Sequence, residues 1–189
     1  PLPLVGHRAA GLIPSVTFAL IRWVGVFFIL LPFAWGDLRR HWPEILRHSG
    51  VLIVLGVTGI TLNTAMSYVG LQETTALNAM LIQSSAPLLI GAWSFVLFRD
   101  RLTRWQVAGI LLSLCGVAAI LCRGSWLALV TLRPNPGDLW MAGALALYCF
   151  YSALLRRAPR LSHLSLLACL AFVGMIGLAP LSWHELAQG

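Results

Sequence analysis

Between Glu73 and Arg99 the chain runs for 25 residues, Thr74 to Phe98, without a formal charge. A helix rising about 1.5 Å per residue needs roughly 20 apolar residues to cross the hydrocarbon core of a bilayer, so this stretch is long enough to span one. It stops at Arg99, Arg101 and Arg104, interleaved with Asp100, the pattern with which a chain leaves lipid on the cytoplasmic side. Within it Gln83, Ser84 and Ser85 precede Pro87. Proline has no N–H for the Gln83 carbonyl, a loss tolerable in lipid only where protein or water satisfies that oxygen. The stretch therefore predicts a helix kinked at Pro87, with the kink facing a protein or aqueous interior.

The rest of the chain is of the same kind. It is 59% apolar and 10% charged, where globular proteins carry about 25% charged residues. Six charge-poor runs, 15–35, 50–71, 75–98, 105–122, 139–155 and 163–183, are joined by short polar or arginine-bearing connectors. They predict an all-α, polytopic transmembrane bundle of six spans with no separate soluble domain. A barrel would show alternating segments of about ten residues, and these runs do not alternate. The net charge of +7 comes from 13 arginines, without lysine, against six acids. Because the arginines collect at run ends, the charge reads as membrane topology and not as a nucleic-acid surface. Cys115, Cys122, Cys149 and Cys169 fall inside apolar runs with no ligand-like spacing and read as small buried hydrophobes.

Arginine asymmetry orients the bundle. Arg39, Arg40 and Arg47 follow the first span, Arg99, Arg101 and Arg104 the third, and Arg156, Arg157 and Arg160 the fifth; the opposite side has Arg8, Arg123 and Arg133. Nine against three places the first set in the cytoplasm and both chain ends outside. A chain that starts outside without a signal sequence and without Met predicts an earlier span upstream and more chain downstream of Gly189.

Candidate functional groups are the polar residues inside the runs. Arg22 lies seven residues into the first span, about 10 Å along its axis, where a charge costs about 2.5 kcal/mol unless it snorkels or pairs. It either reaches the outer headgroups or turns inward to an anionic substrate or to Glu73. In the second span Thr58, Thr61, Thr64, Ser67 and Tyr68 fall on one side at 100° per residue. That stripe is either a close helix contact or a cavity wall, and the bulk of Tyr68 favours the cavity. Asn78 and Ser85, seven apart, share a face of the kinked third span. Glu73 at the start of that span complements the positive end of its dipole. Gly109 and Gly116, also seven apart, predict close packing of the fourth span. The outer loop after it contains SWLALVTL, suited to a short interfacial helix, and Asp138 caps the fifth span. Tyr148 and Tyr151 share one face there, as core packing or as a substrate path. Trp35, Trp42, Trp105, Trp126, Trp140 and Trp183 lie near run ends, as an interfacial belt would; Trp23 and Trp93 do not.

Catalytic signatures are missing. No GxSxG, HExxH or Walker A pattern occurs, and every histidine and acid lies in a connector or at a run end. The spans offer neither the clustered acids and histidines nor the metal site that hydrolysis in a membrane needs, so no enzyme, metal or cofactor is expected.

The block Val69–Gly116 resembles the first-repeat signature of the EamA family in the drug/metabolite transporter superfamily. Its small-residue outer turn, mid-span Pro87, the run Arg101-Leu102-Thr103 and the following Gln106, Gly109 and Gly116 carry the likeness. The family's usual Gly-Glu before that arginine is here Arg99-Asp100, and Arg22 matches an arginine common in the family's second helix. The resemblance implies a ten-helix fold of two five-helix inverted repeats around a central cavity. Residues 1–134 would be the first repeat without its opening helix and 135–189 the start of the second. It further implies a multi-pass transporter of small metabolites in the bacterial inner membrane, more an exporter than an importer, working by alternating access. Arg22, Thr61, Thr64, Tyr68, Asn78, Ser85, Tyr148 and Tyr151 would line the cavity, with Pro87 as the kink. The partners implied are a small-molecule substrate and the lipid bilayer, with a homodimer left open. A non-transporting scaffold or an inactive remnant is the competing reading.

Overall fold

Long apolar runs in lipid must satisfy every backbone group internally, and helices do so residue by residue. The computed structural model describes residues 15–121 and 135–188, which form helices joined by short turns and contain no strand. Helix α1 is Ser15–Arg40, α2 Trp42–Arg47 and α3 Ser49–Gly56. A π-helical segment, Val57–Leu62, continues α3 into α4, Asn63–Glu73. Then come α5 Ala76–Ser84, α6 Ala86–Phe98, α7 Arg104–Leu121, α8 Pro136–Leu154 with a 3₁₀ turn Leu155–Arg157, and α9 His163–Gln188. Four helices, Val16–Arg40, Ser49–Glu73, Pro136–Arg157 and His163–Ala187, are long and apolar enough to cross a membrane. The broken pair Asn78–Ser84 and Ala86–Phe98, bent by 41°, makes a fifth if it counts as one span. The chain is thus a multi-pass membrane protein. The run at 105–122 forms α7, whose far end meets residues outside the described set, where Cys122, Trp126 and the SWLALVTL segment also lie.

The described residues divide into two compact units. One joins the described part of Pro1–Ala65 to Arg157–Gly189; the other is Met66–Arg156. In the first, α1 packs along α9, and α9 also meets α3 and the π segment. Small residues set these distances. A Cβ added at Gly56 would stand 2.6 Å from Val173 Cβ, and one at Gly174 would stand 2.8 Å from Ile60 Cβ. Both ends of the α1–α9 pair are tied by carboxylates. Glu185 accepts from Val16 N (3.2 Å), Thr17 N (3.0 Å) and Thr17 Oγ1 (3.3 Å), satisfying orphan donors of the first turn of α1. At the other end Asp37 accepts from Ser162 N (3.2 Å) just before α9 and meets His41 Nδ1 at 2.9 Å.

In the second unit α8 packs against α5 and α6. Gly137 lies so close to the preceding turn that a Cβ there would be 2.6 Å from Thr74 N and 2.7 Å from Glu73 C. Trp93, away from the interfacial belt, packs edge-on against Phe150 of α8, centroids 5.0 Å apart. The residues that carry the family likeness prove to be local devices. Thr103 and Gln106 form a capping box for α7: Gln106 Oε1 accepts from Thr103 N (2.9 Å), and Thr103 Oγ1 accepts from Gln106 N (3.3 Å). Leu102 fills the space beside Gly91, where a Cβ would meet its Cδ1 at 2.7 Å.

Some expectations are corrected. Glu73 ends α4 and does not open the next helix; Thr75 is the N-cap of α5, its Oγ1 accepting from Asn78 N at 3.2 Å. Asp138 is not the N-cap of α8. Asn135 is, and Asp138 sits three residues on, accepting from Asn135 N at 3.0 Å. Nothing lies within 4 Å of a Cβ at Gly109 or Gly116, so their expected packing is not made by the described residues, and Cys115 beside them is exposed. Arg99 ends α6 at φ 61°, in the left-handed region, at the place where the family pattern has glycine. A side chain there costs about 1 kcal/mol. Arg99→Gly is expected to stabilise the protein by about that amount, read as a higher midpoint of thermal unfolding in detergent.

Candidate substrate path

The break between α5 and α6 gives the path its shape. Ser85 serves as C-cap of α5 and N-cap of α6, donating its N–H to Ile82 O (3.0 Å), while Pro87 occupies the first turn of α6, where a missing N–H costs nothing. The Ala86 carbonyl at the break accepts from Cys149 Sγ of α8 at 3.5 Å, which ties the break to a neighbouring helix. From Pro87 a groove of about 700 Å³ runs between α6 and α7 past Ser94 and Ser113 toward Asp100 and Gln106. At its charged end Asp100 pairs with Arg156, whose guanidinium also lies 4.6 Å from the Phe98 ring centroid.

The residues predicted to face substrate fall in both units. Tyr148 and Tyr151 do share a face of α8, their centroids 6.1 Å apart, with Tyr148 exposed and Tyr151 half-buried. Tyr68 and Ser85 are half-buried. Arg22 is exposed, and its guanidinium lies 5.6 Å from the ring of its own neighbour Trp23. Thr61 and Asn78 are spent on helix contacts. Thr61 Oγ1 donates to Gly174 O at 3.4 Å, and Asn78 Nδ2 donates to Asp138 at 3.0 and 3.2 Å. Thr64 is buried. The second-span stripe is not continuous: the π segment breaks the 100° spacing, and Thr58 Oγ1 turns back to Val54 O at 2.6 Å.

Sequence reasoning missed the polar node around Asp138. Its carboxylate accepts from Thr74 Oγ1, Asn78 Nδ2 and Asn135 N, joining the α4–α5 turn to the start of α8. The Asn-x-x-Asp spacing was the available signal. Glu185 and the pair Ser162 and Ser165, whose hydroxyls lie 2.9 Å apart, were likewise passed over as polar residues at run ends.

The sequence profile described as the EamA-like transporter family matches residues 2–122. The chain belongs to that family. Among the relatives of this EamA-like chain are two uncharacterised transporters of Bacillus subtilis, YyaM (31% identical over 132 residues) and YetK (34% over 130 residues). An uncharacterised transporter of Archaeoglobus fulgidus is 28% identical over 130 residues. The matches cover 70%, 67% and 68% of this chain but 42%, 38% and 44% of the relatives, so the chain spans about two-fifths of their length. No solved structure matches significantly.

Proposed function

We propose that the full-length protein moves small metabolites across the bacterial inner membrane, outward, by alternating access between two inverted five-helix repeats. Residues 1–134 are then the first repeat without its opening helix, residues 135–189 begin the second, and the six spans of this chain are helices two to seven of ten. The observation that carries the reading is the broken helix at Ser85–Pro87, bent by 41° beside an open groove. Discontinuous spans whose irregular backbone lines a cavity are a recurring construction of substrate sites in secondary transporters. Arg22, Tyr68, Ser85, Tyr148 and Tyr151 offer groups to the substrate, with Arg22 the contact for an anionic portion, while Thr61, Thr64 and Asn78 shape the wall.

An untargeted comparison of metabolites inside and outside deletion and overexpressing cells tests this. At least one small metabolite is expected to accumulate outside on overexpression. Arg22→Ala and Pro87→Ala in the full-length protein are each expected to cut that release about tenfold, equivalent to about 1.4 kcal/mol in the transport barrier, with unchanged amounts of protein in the membrane. If release is unchanged in both variants, the scaffold reading returns.

A further inference from the structure

The geometry points to a binding site for an anionic phospholipid in the first unit, separate from the path at the helix break. A groove of about 510 Å³ lies among α1, α2, α3 and α9, walled by Phe27, Trp35, Trp42, Leu52 and Phe172. Its lining is apolar along most of its length and contains one charge, Arg39, at the end where α1 stops. From Phe27 to Arg39 is 12 residues, about 18 Å along the helix axis, against the roughly 15 Å of one bilayer leaflet. The groove thus has the depth of one acyl chain, and its cation sits at headgroup level.

Charge complementarity selects the headgroup. The Arg39 guanidinium takes part in neither the Asp37–His41 nor the Asp100–Arg156 ion pair and faces a ring, Trp35, at 4.7 Å. The nearest acid in sequence, Asp37, already accepts from Ser162 N and meets His41. Glu44 of α2 is half-buried and is not part of the lining. Two tryptophans, Trp35 and Trp42, flank the mouth, as aromatic rings do at the membrane interface. A basic mouth on a crevice between membrane helices suits a phosphodiester headgroup with its acyl chain laid below.

The full-length protein reconstituted in vesicles of equal parts phosphatidylcholine and phosphatidylglycerol provides the test. Trace phosphatidylglycerol or phosphatidylcholine with a photoactivatable group in the acyl chain is added, and adducts are located by mass spectrometry. Phosphatidylglycerol adducts are expected at Phe27 and Phe172 in excess over the more exposed Leu139, and about fivefold above those of the phosphatidylcholine probe. Arg39→Gln should erase that fivefold preference, and Arg39→Lys should keep most of it. Three results would overturn the site: equal labelling by both probes, an Arg39→Gln variant with preference intact, or no adducts in the groove and a thiol cross-link from Cys169 to another helix of the full-length protein. The last would show the groove filled by protein. None of these readouts depends on transport, so failure here leaves the proposed function standing.

Discussion

Asp138→Ala is expected to destabilise the second unit by about 3 kcal/mol, because it strands three donors together. Thr74 Oγ1, Asn78 Nδ2 and Asn135 N all point at this carboxylate, and Asn78 is 8% exposed, so water cannot replace the lost acceptor at its amide. A buried donor left without a partner costs about 1–3 kcal/mol, more where the lost acceptor was charged. Asp138→Asn keeps one acceptor oxygen but turns an amide toward the donors, and should fall between wild type and alanine. Thermal unfolding in detergent of the full-length protein measures the order. Asn78→Ala together with Asp138→Ala should cost less than the sum of the two single changes, since each removes the same bond. Strict additivity would mean that the contact contributes nothing.

Gly177→Val should cost as much or more, by steric means. A Cβ at position 177 falls inside contact distance of Thr61 Oγ1 and 2.9 Å from its Cγ2, and a β-branched threonine cannot swing away. Overpacking of this kind costs about 1–3 kcal/mol, and here it would also break the Thr61 bond to Gly174 O. Gly109→Val and Gly116→Val, with nothing within 4 Å of the added carbon, should each shift stability by no more than the roughly 0.5 kcal/mol usual for surface changes. Thr61→Ala should recover a large part of the Gly177→Val loss. Unfolding midpoints and the amount of protein in the membrane fraction report both comparisons, and equal losses at 109 and 177 would refute the packing described here.

The same glycines show where sequence reading stopped. Gly109 and Gly116 have the spacing of a helix contact and no neighbour among the described residues, whereas Gly174 and Gly177 admit Ile60 and Thr61. Spacing along one helix says that a close approach is allowed, and only the partner says whether it happens. The apolar runs were legible because lipid leaves a chain so few options, and the break at Pro87 was legible because proline removes a specific bond. Helix ends were harder. Glu73 and Thr75 are two residues apart, yet one closes α4 and the other opens α5, and the difference lies in which side-chain oxygen meets Asn78 N. Asn78 itself was visible as polar within lipid, but its partner is 60 residues away in the chain.

The π segment at Val57–Leu62 has a consequence for length changes in this family. A wide turn of this type absorbs a surplus residue while the regular helix on either side keeps its phase. Removing one residue from within Val57–Leu62 should therefore let the span close into unbroken α-helix with both flanks still facing their old neighbours. The same deletion in α6 or α8 would swing everything after it by about 100°. Gaps between homologous chains should accordingly gather at this one turn.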